Sequence, residues 1–286
     1  MRIITKRGYH YLQTSFRVDG KTITKDKYLG KGIPKNLEEI KKQFLGLIQG
    51  ETLFKRFDVI KSNYLKNWNK LPIPVKKKIH EELTARFTYN TNAIEGSTIT
   101  LEETKRLLKD HITPEKPLAD VQESINHAKI FSDIIDNEYH DLSLKNVMEW
   151  HKQIFRESKP EIAGKVRDYL VRVGDHLCPD WQDVPRLLKE FLQWYNTNKK
   201  ELHPVELVGM AHYRFVKIHP FGDGNGRIAR LIMNFILNAR GYPVLIIEFN
   251  KRTSYYKSLR RADKKTEWEF LKYHYRRYLK NNEEFL

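Results

Sequence analysis

Glycines at positions 222, 224 and 226, with Asp223 and Asn225 between them, constrain this chain more than any other feature. Three alternating glycines are expensive inside a helix, because each loses more backbone freedom than any other residue. The segment is therefore a loop. Behind it, Arg227-Ile-Ala-Arg-Leu-Ile-Met-Asn-Phe-Ile-Leu reads as an amphipathic helix over 225–240, with Gly241 placed to cap its end. In front of it, a helical pattern over 203–217 leads into His219-Pro220. A glycine loop feeding a helix N-terminus offers bare N–H groups and the positive end of a helix dipole, which together make an anion site.

Three glycine motifs are excluded. A dinucleotide fingerprint needs a strand before the loop, and here a helix precedes it. A Walker loop needs Gly-Lys-Ser/Thr, which is absent. A calcium loop starting at Asp223 fails at Arg227 and again at Asn234, where a Glu is required. What remains is a set of chemical roles. His219 supplies an imidazole that can act as a base near neutral pH. Asp223 is a hard oxygen ligand suited to Mg²⁺. Asn225 and the glycine N–H groups suit phosphate oxygens. Arg227 and Arg230, three apart on the first helical turn, can reach one polyphosphate. A base, a metal ligand and two cationic clamps in this order describe phosphoryl-type transfer from a Mg²⁺-nucleotide.

The rest of the chain frames that loop. Residues 9–29 alternate polar and apolar around Asp19-Gly20, a hairpin signal, and Lys31-Gly32-Ile33-Pro34 reads as a linker. From Leu37 the apolar spacing turns helical through Ile40, Phe44, Leu47 and Ile48, and Pro72 and Pro74 interrupt it. Further helical patterns cover Lys76–Thr91, 118–136, 143–156, 183–197 and Trp268–Tyr278, and Thr100-Leu101-Glu102-Glu103 forms a capping box. Asp168–Pro179 alternates instead, and reads as a strand pair between helices. The expected architecture is mainly α, a helical bundle with a β-hairpin inserted between helices and a small N-terminal β-hairpin appendage. It divides into 1–34 (the appendage), 35–110 (a helical region) and 111–286 (a core that holds the glycine loop, with C-terminal helices).

Charge and cysteine usage bound the setting. The net charge of +16 favours acidic partners, and 16 basic against 6 acidic residues fall in the first 70 positions. A nucleic-acid-binding regulator is therefore the rival reading, beside simple solvated faces. No stretch nears the ~20 apolar residues of a membrane span. With no leader pattern at Met1 and a single cysteine, Cys178, a cytoplasmic home is expected.

The run His219-Pro-Phe-Gly-Asp-Gly-Asn-Gly-Arg-Ile-Ala-Arg230 resembles the Fic signature, H-P-F-x-D/E-G-N-G-R-x-x-R, at every fixed position. Leu202–Glu206, Ala211-His212-Tyr213, Ala239–Pro243 and Arg252–Tyr256 extend the likeness, over about 50–275. The resemblance implies an enzyme that moves AMP from ATP to a Tyr, Ser or Thr hydroxyl of a target protein. It implies His219 as the base, Asp223 as the Mg²⁺ ligand, and Gly224, Asn225, Gly226, Arg227, Ile228, Ala229 and Arg230 around the phosphates, with Arg230 on the γ-phosphate. Phe221 is expected under the loop. The strand pair resembles the family's flap, with Val173, Gly174, Asp175 and His176 against the nucleotide. Tyr255, Tyr256 and Asp263 match positions near the adenine, where relatives often carry Asn in place of Asp263. Read from the residues alone, Tyr255-Tyr256 is equally a core aromatic pair.

Thr91-Asn-Ala-Ile-Glu95-Gly96 resembles the family's inhibitory motif, S/T-x-x-x-E-G/N, on a helix at about 84–96. Thr91 and Glu95 share a helix face, and the resemblance implies that Glu95 pairs with Arg230 and displaces the γ-phosphate. The resemblance also allows removal of AMP from targets, and homodimers. Relatives that move phosphate or phosphocholine leave the donor open, and an inert scaffold is a further possibility.

Overall fold

The computed structural model describes residues 1–286 apart from 19, 20, 137–140 and 175. The chain forms two compact units, Met1–Val59 and Ile60–Leu286.

In the first unit, β1 (Arg2–Lys6), β2 (Tyr9–Val18) and β3 (Lys21–Gly30) form an antiparallel sheet in that order. Alternation puts Ile3, Leu12 and Leu29 on one face, where Phe44 and Ile48 of helix α1 (Leu37–Gln49) pack against them. The β2–β3 ladder runs from His10↔Gly30 to Val18↔Lys21. The Asp19-Gly20 turn expected between these strands lies outside the described residues. The sequence reading gave a hairpin; the structure adds β1. Its two-residue loop, Arg7-Gly8, has positive φ at both positions (50° and 78°). Such a loop suits a hairpin, but Arg in place of Asn or Asp hid the signal.

Helix α2 (Lys55–Lys70) leads into the second unit, which continues with α3 (Ile73–Ile94), α4 (Leu101–Lys109), α5 (Leu118–Ile135), α6 (Leu144–Phe155), α7 (Val184–Asn198), α8 (Pro204–Ile218), α9 (Asn225–Ala239), α10 (Arg252–Lys264) and α11 (Trp268–Asn281). The flap strands β4 (Arg172–Val173) and β5 (His176–Leu177) pair antiparallel between α6 and α7. The fold is thus mainly α with a β flap, as expected. The caps follow the sequence. Thr100 and Glu103 form a reciprocal capping box on α4. Gly241, at φ 71°, ends α9 while the Tyr242 N–H bonds back to the Leu237 carbonyl at 2.9 Å.

Helix α9 is the axis of this unit. The pattern expected there was amphipathic, yet Arg227–Leu237 is buried all round, polar residues included. Those polar groups find partners inside. Asn234 accepts from the Leu245 N–H at 2.8 Å and donates to the Leu245 carbonyl at 3.1 Å. A buried amide satisfied on both sides carries little desolvation penalty.

Helix α3 reaches the same core. Phe87 stacks on Phe131 of α5 at 4.1 Å, Thr88 meets His127 at 3.2 Å, and Asn92 donates to Ser124 at 3.2 Å. These contacts fix where the C-terminus of α3, and with it Glu95, is delivered.

Candidate active site

The loop between α8 and α9 is built by its own side chains. His219 ends α8 in the left-handed region (φ 52°, ψ 59°), uncommon for a non-glycine residue. Phe221 is buried and stacks on His151 at 3.8 Å. Asn225 closes the loop on itself: its Oδ1 accepts the Phe221 N–H at 2.9 Å and its Nδ2 donates to the Phe221 carbonyl at 2.8 Å. The Asn225 side chain expected to meet phosphate is therefore occupied, and what it leaves for an anion is its backbone N–H. Ile228 and Ala229 are buried core side chains, so they too can offer only backbone.

The steric demand for glycine is strongest at Gly224, which has φ 79° and faces a buried ring, whereas Gly222 and Gly226 face the ends of two partly exposed side chains. A Cβ on Gly222 would lie 2.3 Å from the Tyr169 hydroxyl, one on Gly224 2.4 Å from the Phe155 ring, and one on Gly226 2.3 Å from Glu95 Oε1. The third distance says that Glu95 lies against the loop.

A backbone contact fixes the tautomer of His219. Its Nδ1 lies 3.3 Å from the Val216 carbonyl. A carbonyl can only accept, so Nδ1 carries the proton and Nε2 keeps its lone pair. Burial pushes the His219 pKa below the usual histidine value, against the opposing pull of the Val216 carbonyl. The ring is neutral at pH 7.

Two residues that sequence reasoning missed hold this geometry. Buried Arg167 donates from Nε to the His219 carbonyl, from Nη1 to the Tyr169 carbonyl and from Nη2 to the Pro179 carbonyl, each at 2.7 Å. One guanidinium thus ties both feet of the strand pair to the backbone of His219. His151 of α6 donates from Nε2 to the Asp223 carbonyl and accepts the Gly164 N–H at Nδ1, each at 3.0 Å. Burial lowers its pKa to about 4, so it stays neutral. Both lie more than fifty residues from the loop partners they hold, and neither stands in a local motif.

The charged groups form two clusters. In one, Arg230 donates from Nε to Thr91 Oγ1, and from Nη2 to the Thr91 carbonyl (3.1 Å) and Glu95 Oε1 (2.6 Å). The Arg230 side chain is 1% exposed and that of Glu95 26%. Buried Arg230 Nη1 has no hydrogen-bond partner. The sequence expectation that Glu95 faces Arg230 agrees with this geometry. In the other cluster, Asp223 Oδ2 is 2.6 Å from Lys159 Nζ and 3.5 Å from Arg227 Nη2. Arg227 is ion-paired to Glu123 of α5 and sits 4.5 Å over the Phe155 ring. It is thus committed to internal partners, while its buried Nε has no partner. Burial disfavours the Asp223 carboxylate, but Arg227 and Lys159 outweigh burial and lower its pKa. Sequence reading gave neither Lys159 nor Glu123.

The flap and base-site residues divide. Val173 is exposed and Gly174 has φ 57°. His176 pairs with Val173 in the ladder, and Asp175 lies outside the described residues. Tyr255 is core: 1% exposed, its hydroxyl bonded to His212 at 3.0 Å, its ring against Phe270 and Tyr273. It has no free face for a base. Tyr256 is 36% exposed and donates to the Ile94 carbonyl at 3.2 Å, beside Glu95. Asp263 is exposed and accepts from the Tyr213 hydroxyl at 3.0 Å. Among the described residues, no group of three or more His, Cys, Asp or Glu could hold a metal by itself. One half-exposed carboxylate at an anion-binding loop still fits a Mg²⁺ that arrives on nucleotide phosphates, because that ion takes only one or two protein carboxylates. No helix among the described residues is long and apolar enough to cross a membrane.

The Fic/DOC family profile matches residues 141–237. A protein adenylyltransferase Fic from Nematostella vectensis is 34% identical over 196 residues, 67% of this chain and 46% of the relative. One from Drosophila melanogaster is 32% identical over 191 residues, 65% of this chain and 39% of the relative. The chain therefore spans less than half the length of these relatives. Among solved structures, a Fic domain containing signaling protein from Bacteroides thetaiotaomicron superposes with TM-score 0.72 at 26% identity, covering 81% of this chain and 95% of the other. Fic-1 (residues 134–508) from C. elegans gives 0.71 at 25% identity, covering 88% and 77%.

Proposed function

Residues 141–237 make this a Fic-domain protein, and on that premise we propose that it moves AMP from ATP to a Tyr, Ser or Thr hydroxyl of a target protein and is held back by Glu95. The observation that carries the reading is the placement of His219. Its Nδ1 is tied to the Val216 carbonyl, so Nε2 faces its task as a neutral acceptor at the mouth of an anion-binding loop. Nε2 takes the proton of the target hydroxyl as the oxygen attacks the α-phosphorus in line, and pyrophosphate leaves. The N–H groups of Gly224, Asn225 and Gly226, at the N-terminus of α9, receive phosphate oxygens. Arg230 holds the γ-phosphate with the face that Glu95 now covers. Mg²⁺, when bound through Asp223, neutralises phosphate charge. The exposed flap edge around Val173 receives the target's main chain as an added strand, and Arg167 keeps that edge in register with His219. Tyr256, rather than buried Tyr255, is the aromatic side chain available to the adenine.

Glu95 and the γ-phosphate compete for Arg230, so ATP binds in an unproductive pose until Glu95 withdraws. The same carboxylate, lying against Gly226, is placed to orient a water for removal of AMP from modified targets. The relatives are named for adenylyl transfer, so the basic surplus is assigned to solvated faces rather than to nucleic acid. We place the protein in the cytoplasm on its single cysteine.

The test is labelling of a cell lysate with α-³²P-ATP by wild type, His219→Ala and Glu95→Gly. Loss of the base should lower incorporation ~10²- to 10⁴-fold, and loss of Glu95 should raise it. Undiminished labelling by His219→Ala would sink the transferase reading. For AMP removal, an AMPylated target is incubated with wild type and with Glu95→Gly. A mutant that still strips AMP assigns that role elsewhere.

A further inference from the structure

Asp223 offers two oxygens, and neither is idle. Oδ1 accepts the Gly224 N–H at 2.5 Å, which turns the carboxylate inward and leaves Oδ2 as the oxygen open to a cation. Lys159 Nζ holds Oδ2 at 2.6 Å. Lys159 comes from the turn that follows α6, where its N–H donates to the Phe155 carbonyl at 2.8 Å. Its ammonium also lies 5.2 Å over the Phe155 ring, the ring against which Gly224 packs. The lysine is therefore built into the base of the loop.

A second carboxylate stands beside it. Glu123 Oε1 is 3.5 Å from the same Nζ and accepts the Ser158 hydroxyl at 2.7 Å, while its other oxygen is ion-paired to Arg227. A short movement transfers the ammonium from Asp223 to Glu123 without leaving the site. The four groups Asp223, Glu123, Lys159 and Arg227 balance in charge without any metal.

We propose that Lys159 is a built-in stand-in for the divalent cation: it neutralises Asp223 whenever no metal is bound, and a metal ion must displace it onto Glu123 before it can bind Asp223 Oδ2. Lys159 is then a positioning residue that sets how much metal the enzyme needs. The proposal rests on Asp223 being the metal ligand, as in the function proposed above.

The test titrates Mn²⁺ into the full chain saturated with a non-hydrolysable ATP analogue, against a protein-free reference titration of the same analogue, with the free ion followed by electron paramagnetic resonance. Lys159→Met should bind Mn²⁺ about fivefold more tightly than wild type, the size expected when a half-exposed pair no longer competes. Lys159→Arg keeps the charge and should behave as wild type. Asp223→Ala should weaken binding in both backgrounds and erase the difference between them. If Asp223→Ala weakens binding and Lys159→Met fails to strengthen it, the stand-in role falls and the metal ligand survives. Unchanged Mn²⁺ binding in Asp223→Ala removes the metal assignment of Asp223, and the stand-in role with it. Weaker binding in Lys159→Met, with its melting temperature intact, also overturns the proposal.

Discussion

Two side chains from distant parts of the chain bring internal charge to the glycine loop, and they differ in burial. Glu95, at the C-terminal cap of α3, sits on Arg230, which is 1% exposed. Lys159, after α6, sits on Asp223, and these two are 37% and 40% exposed. One is an anion where the reading above puts a phosphate, and the other a cation where it puts a metal. Burial sets what each contact is worth. Water screens the Lys159 pair on an open flank, so it contributes little. Arg230 is a guanidinium out of water, so its partners offset a large desolvation cost. Glu95 also works against the dipole of α3, whose C-terminus disfavours negative charge. Arg230 and the Tyr256 hydroxyl on the Ile94 carbonyl hold that end in place.

The contrast is broken most sharply at Arg230. Arg230→Met should cost on the order of 3–5 kcal/mol, because it strands Thr91 and Glu95 beside a buried void, and lower the melting temperature by roughly 10 °C. A fall no larger than that of Lys159→Met would show that burial does not rank the two contacts. Glu95→Gly leaves Arg230 its two Thr91 bonds and should cost less stability than Arg230→Met. Its larger effect is on chemistry: α-³²P incorporation should rise about tenfold or more, equivalent to about 1.4 kcal/mol. Equal incorporation by wild type and variant would refute the brake.

A third contact, His151 to the Asp223 carbonyl, responds to pH. The histidine is buried and its pKa is lowered to about 4. Between about 6.5 and 4 the unfolded state binds a proton that the folded state refuses, so the stability it contributes is complete above 6.5 and is lost as pH falls. The loss approaches about 3 kcal/mol near pH 4. His127, His212 and His274 are lowered in the same direction by burial. The test is therefore the difference between wild type and His151→Asn, whose unfolding free energy should fall less steeply from pH 7 to 4.5. Parallel curves would remove His151 from the account.

What could be read in advance was local. Loop, caps and helices follow from spacing and turn chemistry, as at Thr100–Glu103 and Gly241. Glu95 was legible because Thr91 and Glu95 share a helix face and a motif, even though Arg230 lies 135 residues away. Arg167, His151 and Lys159 were not legible, because each acts through a backbone or carboxylate partner set only by tertiary packing. The burial of α9 was hidden for the same reason: Arg227, Arg230 and Asn234 read as the polar side of an amphipathic helix until Glu123, Thr91 and Leu245 are seen to receive them. Asn225 and Tyr255 show the converse: residue chemistry in the first case and family resemblance in the second pointed to ligand contacts, while the fold uses both side chains internally.

The smallest expected effect is the most discriminating. Lys159→Met should change stability by less than about 1 kcal/mol, which is roughly 2–4 °C or less in melting temperature. The change should shrink further as salt rises from 0.05 to 0.5 M, because the pair faces solvent and its attraction is screened over about 8 Å at physiological ionic strength. Arg230→Met should keep nearly the same penalty at both salt concentrations, because its cost is desolvation and lost packing. Salt dependence therefore separates the two contacts where absolute stability could mislead, and the measurement is a pair of denaturation series on the two variants against wild type. A salt-independent penalty for Lys159→Met above 2 kcal/mol would mean that its ammonium is effectively buried. The distinction between a screened cation at Asp223 and a desolvated one at Arg230 would then collapse.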